Sequence, residues 1–264
     1  MDLQEYRTGN REAEARHPWE LARLEVITAL MRQHLMGPSS RGYAFLDIGA
    51  GDLFLGRELC GRFPVARYIA VDTAFDEDAS ETEALTAGDA RIRTFRSWQE
   101  TMRSVDSSFD MVLLLDVLEH IEDEAAFLKS LRESSSVTGE TLFLITAPAF
   151  QSLYSSHDLF LGHYRRYNNR ILKELVCRAG LSAIDAGYFF FTLLPPRALR
   201  VLCEKAGLPR RRQFRGVSGW RPHILRDFLL KEVLSLDFAA SSLARKLGIN
   251  PIGLSNYLIC KKAA

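Results

Sequence analysis

The stretch "FLDIGAGDLFLG", residues 45–56, decides the fold. An apolar run leads to an aspartate, Asp47. Two glycines, Gly49 and Gly51, follow one residue apart before apolar residues resume. Glycine lets the backbone turn tightly and come close to a ligand, because no side chain occupies that space. The stretch therefore predicts a strand, a ligand-binding turn and the start of a helix.

Strand and helix patterns alternate over most of the chain on both sides of this stretch. Apolar segments predict seven strands, at residues 43–49, 66–72, 90–95, 110–117, 139–148, 183–192 and 254–262. Segment 110–117, "DMVLLLDV", is continuously apolar, as in parallel strands buried on both faces. We therefore predict an α/β fold: a Rossmann-like doubly wound, mostly parallel seven-stranded sheet with helices on both faces and a helical insertion before the last strand.

Length and composition predict one large domain, residues 1–264, because 264 residues that are 47% hydrophobic can bury a full core. Residues 1–40 are expected to form a helical lead-in, whose helix at 18–36 places Leu24, Ile27 and Met31 on one side together with Leu21 and Leu35. Residues 193–250 are helical in pattern and are interpreted as an insertion or lid.

Charge and cysteine content exclude several classes of protein. The 34 Lys and Arg residues balance 33 Asp and Glu residues, so nucleic acid is not an expected partner. The cysteines have no paired spacing, which disfavours a zinc cluster and suits a reducing compartment: Cys60, Cys177, Cys203 and Cys260. The polar N-terminal segment lacks a signal-peptide core, and a cytoplasmic location is expected. Oligomeric state is left open.

One basic run, "PRRRQFR" at residues 209–215, follows the apolar segment "YFFFTLLPP". That apolar segment is too short to span a bilayer. A solvated loop is one interpretation of the basic run. Peripheral contact with the inner membrane surface is the other, and it predicts binding to acidic liposomes that salt weakens.

The residues after the glycine turn suggest what the turn binds. Asp72 ends the next strand, where a carboxylate can accept hydrogen bonds from both hydroxyls of a ribose. A dinucleotide fingerprint needs a third small residue, and Phe54 occupies that position. Asp47 and Asp52 flank the glycines and would repel a diphosphate while favouring a cation such as a sulfonium. A structural role for both acids stays open: Asp52 as a helix cap and Asp47 as a tie for the turn.

Four motifs in order, "LDIGAG", "AVD", "FDMVLLLDVLEHIED" and "GETLFLITAP", resemble those of class I S-adenosylmethionine-dependent methyltransferases. The resemblance runs from about residue 18 to residue 192. It implies S-adenosyl-L-methionine as cofactor and S-adenosyl-L-homocysteine as product. It also implies a cofactor-binding set of Asp47, Gly49, Ala50, Gly51, Asp72 and Asp116. Leu53 stands at a position where many members of this family have another glycine. The segment "FRSWQE" replaces the adenine-side motif, so Ser97 or Trp98 is expected to face adenine.

The densest group of polar and aromatic side chains is "SSHDLFLGHYRRY", residues 155–167, which we call the polar loop. It follows the fifth predicted strand and is expected to cross the mouth of the ligand site. A subset of the family carries a similar HD…GHYRRY stretch. His120 comes four residues after Asp116 and would share a helix face with it if a helix starts there. A structural histidine capped by Glu119 or Glu122 is the alternative. The candidate catalytic residues are His120, His157, Asp158, His163 and Arg166, and the candidate acceptor-binding residues are Tyr164, Arg165, Tyr167, Trp19 and Arg23.

The predicted function is methyl transfer to a small-molecule or lipid- or carrier-linked acceptor, at an oxygen nucleophile that a histidine deprotonates. Asp158 is expected to orient His157 or His163, and Arg165 and Arg166 to bind a carboxylate or phosphate on the acceptor. No metal is required for this chemistry. Two alternatives stay open: a non-catalytic, cofactor-binding partner or regulatory module, and a nicotinamide-dependent oxidoreductase, which Phe54 and Asp47 disfavour.

Overall fold

The computed structural model describes residues 16–35, 41–75, 85–105, 107–207 and 223–263. Its strands are β1 (Tyr43–Ile48), β2 (Val65–Val71), β3 (Ile92–Phe95), β4 (Met111–Leu115), β5 (Leu142–Pro148), β6 (Leu181–Phe189) and β7 (Ser255–Lys262). Its α-helices are α1 (Pro18–His34), α2 (Phe54–Arg62), α3 (Trp98–Ser104), α4 (Glu124–Glu133), α5 (Ser156–Phe160), α6 (Asn169–Arg178), α7 (Leu194–Lys205) and α8 (Ile224–Lys246).

The strands form one seven-stranded sheet in the order β3-β2-β1-β4-β5-β7-β6. The first five strands pair in parallel, and β7 runs antiparallel between β5 and β6. The strand order reverses between β1 and β4, so a ligand crevice is expected beyond the carboxyl ends of these two strands. We call this space the crevice. The predicted Rossmann-like, mostly parallel sheet with helices on both faces is confirmed.

Alternate side chains of β1 pack on opposite faces of the sheet, as the strand pleat requires. Phe45 packs on the face that α1 and α2 cover, whereas Leu46 and Ile48 pack on the other face. All five residues of β4 are buried, as its continuous apolar sequence predicts. The sheet core is therefore dry on both sides, and polar groups of the central strands gather at the strand ends.

Helix α1 is buried over a wide face because α8 packs against its outer side. His17 and Glu20 form a capping box at its start. Leu24, Ile27 and Met31 are buried as predicted, whereas Leu21 and Leu35 are only partly covered. The helix ends at His34, and residue 36 of the predicted span lies outside the described residues.

In the sequence, helices α7 and α8 come after β6 and before β7. Buried Asp237 of α8 accepts hydrogen bonds from the Thr192 amide and hydroxyl at 2.7 and 2.8 Å, which ties α8 to the end of β6. Several apolar side chains on these helices are exposed: Leu199, Leu202, Ile224, Leu225, Phe228, Leu229 and Leu236. None of the helices in the described ranges combines the length and apolarity needed to cross a membrane. The basic run 209–215 lies outside those ranges, and peripheral membrane contact stays a prediction.

Candidate active site

The glycine turn after β1 is built from backbone geometry. Gly49 and Gly51 have φ values of 77° and 58°, in the left-handed region that favours glycine. The amides of Gly49 and Ala50 donate to the Val71 carbonyl at 2.8 and 3.1 Å. A Cβ on Gly49 would lie 2.7 Å from Cγ2 of Val117. The turn therefore admits no side chain at Gly49 and is held against the end of β2.

Asp72, directly after β2, is fixed beside this turn. Its two carboxylate oxygens accept one hydrogen bond each, from the amides of Gly51 and Ala74, both at 2.9 Å. A carboxylate has about four acceptor positions, so each oxygen can accept another hydrogen bond. The side chain is partly exposed. This arrangement fits a vicinal diol, such as that of a ribose, beside the glycine turn.

Asp47 is buried behind the turn and does not open into the crevice. Its carboxylate accepts a hydrogen bond of 2.6 Å from the Tyr68 hydroxyl. Burial raises the pKa of Asp47 to about 6, although the Tyr68 bond and the positive charge of Arg23 lower it. The structure thus favours the interpretation in which Asp47 ties down the turn and supports the cofactor side indirectly.

Asp52 forms an ion pair with Arg16, a residue that the sequence patterns did not single out. Asp52 Oδ1 also accepts from the Phe54 amide at 3.3 Å, although the N-cap residue of α2 is Leu53 and no side chain caps this helix. The Arg16 guanidinium lies 4.4 Å from the centroid of the Phe54 ring. Because Arg16 offsets the charge of Asp52, the predicted repulsion of a diphosphate by this acid is weakened.

Asp116 follows β4 with a φ of 59°, which is uncommon for a residue other than glycine. A short 3-10 turn, Leu118–His120, comes next, and α4 begins only at Glu124. The predicted helix that would place Asp116 and His120 on one face is therefore wrong. The left-handed backbone at Asp116 cannot continue into an α-helix, and Asp123 caps α4 later in the chain.

Arg23 of α1 reaches Asp116 across the crevice. The distance between Arg23 Nη2 and Asp116 Oδ2 is 2.8 Å, and Thr146 at the end of β5 donates to Asp116 Oδ1 at 3.0 Å. The Arg23 guanidinium also lies 5.3 Å from the Trp19 ring centroid, and Trp19 packs against Phe190. The predicted acceptor-binding residues Trp19 and Arg23 are therefore brought to the same crevice as Asp116.

The polar loop is organised around Asp158, whose side chain has no exposed surface. Its Oδ1 accepts from Arg166 Nε at 2.7 Å and contacts His163 Nδ1 at 3.1 Å. Its Oδ2 accepts from Arg197 of α7 at 2.8 Å and from the Ser155 amide at 2.9 Å. Burial alone would raise the pKa of Asp158, but the bonds from His163 and Arg166 hold it well below its usual range.

The expectation that Asp158 orients a histidine applies to His163, because the contact joins these two side chains. His157 instead lies in the first turn of α5, where its amide donates to Ser155 Oγ. Burial and the nearby Arg197 lower the pKa of His157 to about 4. An imidazole with that pKa is a weak base near neutral pH, so the structure disfavours His157 as the base.

The other predicted residues of the polar loop differ in accessibility. Arg166 is buried in its ion pair, and Tyr167 is buried with its hydroxyl donating to the Leu118 carbonyl at 3.1 Å. These contacts place both side chains inside the loop, and the expected roles of Arg166 in catalysis and Tyr167 in acceptor binding stay predictions. Arg165 pairs with Glu124 at the surface, and Tyr164 is 53% exposed. Tyr164 is the most accessible of the predicted acceptor-binding residues in the loop.

His120 and His163 meet where the polar loop crosses the end of β4. Their ring centroids are 4.6 Å apart, with the rings nearly perpendicular. The Tyr164 amide donates to the Glu119 carbonyl at 2.8 Å, which fixes the loop to the 3-10 turn. The polar loop therefore lies against the turn that follows β4 and brings two histidines together there, and its crossing of the crevice mouth stays a prediction.

The expected adenine-side residues lie at the start of α3. Ser97 caps this helix by accepting from the Glu100 amide at 3.3 Å. Trp98 packs edge-on against Phe127, with the ring centroids 6.3 Å apart. Both side chains are partly exposed, and their contact with adenine stays a prediction.

Comparison with known families bears on the central part of the chain. Residues 46–142, which include the end of β1, the glycine turn, Asp72 and β4, match the family model described as "Methyltransferase domain". This part of the chain is therefore similar to a methyltransferase domain. S-adenosylmethionine is the expected cofactor, and the positive-φ glycines beside a ribose-compatible Asp72 fit that molecule. The match is to a methyltransferase, as the sequence motifs imply, and not to a nicotinamide-dependent oxidoreductase. None of the proteins of curated function matches the chain.

Several solved structures have a fold similar to that of this chain. The chain is similar to a putative sarcosine dimethylglycine methyltransferase from Galdieria sulphuraria, with 14% identity, a TM-score of 0.52 and coverage of 93% of this chain and 86% of that one. It is also similar to 1,6-didemethyltoxoflavin-N1-methyltransferase from Burkholderia thailandensis, with 15% identity, a TM-score of 0.52 and coverage of 93% and 80%. The latter structure contains its acceptor, 1,6-didemethyltoxoflavin, and S-adenosylhomocysteine. A methyltransferase from Archaeoglobus fulgidus matches with 19% identity, a TM-score of 0.49 and coverage of 90% and 94%.

Proposed function

We propose that the protein methylates an oxygen nucleophile on a small-molecule or carrier-linked acceptor, with the His120 and His163 pair assisting loss of the acceptor's proton. The single observation that supports this proposal most is the contact between His163 and buried Asp158 at the mouth of the crevice. Because Asp158 accepts from Arg166 and Arg197 as well, it acts as a fixed carboxylate and His163 Nδ1 as the donor. His163 Nε2 then carries the lone pair.

The chain's residues have three tasks in this proposal. The glycine turn and Asp72 bind the cofactor, which supplies a methyl group on a sulfonium. Arg23 holds Asp116 at the crevice, and Trp19 with the polar loop restricts access of water to the reacting atoms. His163, or His120 beside it, takes the acceptor's proton, because a hydroxyl is a poor nucleophile until that proton leaves. An amine acceptor would need less help from a base.

The acceptor is expected to contact the exposed part of the polar loop. Tyr164 offers an accessible aromatic face, and Arg165 lies 5.5 Å from its ring centroid. A flat or sugar-like acceptor with an anionic group suits such a pair. Membership of the subset with the HD…GHYRRY stretch is part of the same proposal, because that stretch supplies both Asp158 and His163.

The test incubates the protein with S-adenosylmethionine tritiated in its methyl group and a small-molecule cell extract. The labelled product identifies the acceptor, and variants of the protein are then assayed with that acceptor. Replacing His163 or His120 by Ala should lower turnover by about 100-fold or more, while binding of S-adenosylhomocysteine measured by calorimetry is unchanged. The loss should shrink as pH rises, because a larger fraction of the acceptor hydroxyl is already ionised.

The matched control is His34→Gln. His34 pairs with Asp185 at the far end of α1, about 20 Å from Trp19 by helix rise, and its replacement should leave turnover unchanged. Full turnover in both the His120 and His163 variants would refute the base assignment. Cofactor binding without label transfer to any extract component would favour the non-catalytic alternative instead.

A further inference from the structure

Three potential metal ligands from two segments of the chain meet at the crevice mouth. Glu119 and His120 end the 3-10 turn after β4, and His163 comes from the polar loop. One donor atom from each lies within 4.8 Å of the other two. The bond from the Tyr164 amide to the Glu119 carbonyl holds the two segments together. Backbone structure therefore holds the two segments together, with Glu119 buried, His163 partly buried and His120 exposed at the surface.

The Glu119 carboxylate is the unusual member of this cluster. The residue is fully buried, and neither carboxylate oxygen has a hydrogen-bond partner among the residues that the structure describes. Buried polar groups are nearly always partnered, because an unpaired carboxylate loses its hydration without compensation. A cation bound to Glu119 would provide that compensation.

His163 is already oriented as metal-binding histidines usually are. One ring nitrogen, Nδ1, contacts buried Asp158, which leaves the other nitrogen to bind a cation. Asp158 is itself held by Arg166 and Arg197 at 2.7 and 2.8 Å, so the imidazole has little freedom to rotate. A carboxylate behind a ligating histidine fixes both its tautomer and its direction.

We propose that Glu119, His120 and His163 bind a divalent transition-metal cation, with Asp158 positioning His163. Two imidazoles and one carboxylate form a donor set that suits Zn²⁺ and related cations and leaves a fourth coordination position open. Zinc lies about 2.0–2.2 Å from such donors, so small side-chain rotations that bring the three donors closer complete the site.

This site goes beyond the histidine chemistry proposed above, which requires no metal. Its existence rests on the geometry, whereas a role in catalysis would rest on the proposed function. The open coordination position would take the acceptor oxygen, and a cation there would lower the pKa of that oxygen so that its proton passes to solvent water. His120 and His163 would then act as ligands of the cation and would not take the proton themselves.

The test is zinc binding by the full-length, untagged protein after treatment with a chelator. Wild-type protein should bind one equivalent of Zn²⁺ by equilibrium dialysis, and its melting temperature should rise with zinc concentration. Cobalt(II) should give a visible absorption band when it replaces zinc. Glu119→Gln should weaken zinc binding by at least about tenfold, because a neutral amide is a poor ligand in this set.

Glu119→Gln also tests the site without metal. In chelator, the variant should melt at the same temperature as wild type or above it, because it removes an unpaired buried acid. The matched control is Glu122→Gln, an exposed acid three residues away, which should bind zinc as wild type does. Absence of stoichiometric zinc binding, or equal binding by Glu119→Gln, would overturn the site. Because zinc binding is measured without turnover, this result is independent of whether an acceptor is methylated.

Discussion

Two parts of the crevice are held in different ways. The glycine turn with Asp72, which we call the expected cofactor side, is held mainly by backbone hydrogen bonds. The polar loop is held by side chains around one buried aspartate. On the expected cofactor side, amides of Gly49 and Ala50 bond the Val71 carbonyl, and the Gly51 amide bonds Asp72. In the polar loop, Asp158 joins α5, the following loop and Arg197 of α7.

A substitution should have different effects in the expected cofactor side and in the polar loop. A carboxylate at the edge of the glycine turn can be lost with mainly local effects, because backbone bonds elsewhere keep the turn in place. The polar loop has no strand partner beyond a single bridge at Tyr167, so its shape depends on Asp158. Function on the expected cofactor side should therefore be separable from stability, whereas in the polar loop the two should change together.

The largest effect is expected for Asp158→Asn. Loss of the charge leaves the largely buried Arg166 and Arg197 without this shared counterion, which typically costs about 3–5 kcal/mol of unfolding free energy. Urea denaturation followed by circular dichroism measures this change. Asp89→Asn, which removes an exposed ion pair with Arg91, serves as the control and should cost about 1 kcal/mol or less. Equal losses in the two variants would mean that Asp158 does not hold the loop.

A smaller effect, confined to binding, is expected for Asp72→Ala. Removal of a charge-assisted hydrogen bond to the ribose should weaken S-adenosylhomocysteine binding by roughly 1.5–3 kcal/mol, or about 10- to 150-fold. Calorimetry measures the dissociation constant, and thermal melting without ligand checks that the fold is intact. Unchanged affinity would remove Asp72 from the cofactor site. A collapse of stability as large as that of Asp158→Asn would erase the distinction between the two sides.

The smallest effect is expected for Tyr68→Phe, which removes the donor to the buried Asp47 carboxylate. The cost should be about 1–3 kcal/mol of unfolding free energy, whereas Tyr164→Phe, at an exposed hydroxyl, should change it by less than about 0.5 kcal/mol.

The cost of Tyr68→Phe should also depend on pH. The pKa of Asp47 in the folded protein is raised to about 6, so its carboxyl is largely protonated at pH 5 and ionised at pH 8. Ionisation of this raised group costs stability as pH rises through about 6. The missing hydroxyl should therefore destabilise the variant more at pH 8 than at pH 5. A loss that is independent of pH would show that Asp47 does not titrate in this range.

Sequence patterns predicted the sheet and the glycine turn because both depend on local rules. The short, continuously apolar run of β4 between turn signals is typical of a buried strand, and closely spaced glycines favour a turn with positive φ. The helix expected at "DVLEH" is absent, because Asp116 adopts a left-handed backbone conformation that local sequence rules do not predict. The contact of its side chain with Arg23, from a distant helix, accompanies that conformation.

The site residues that sequence patterns missed depend on tertiary contacts. Arg16 precedes α1 yet neutralises Asp52, and Arg197 of α7 completes the environment of Asp158. Glu119 was noted only as a possible neighbour of His120, because nothing in the local sequence shows that it is buried. The choice between His157 and His163 was equally open, since both are close to Asp158 in sequence and only the folded loop brings His163 to it.

The position of β7 has a consequence for how the chain folds. This strand is the last in sequence, yet it lies inside the sheet and pairs with β5 on one side and β6 on the other. During synthesis β6 therefore has no hydrogen-bonding neighbour until Ser255–Lys262 have left the ribosome, and β5 keeps one edge open for the same interval. Helices α7 and α8 emerge during this interval, so a chaperone that shields strand edges should act on this protein before its final strand arrives.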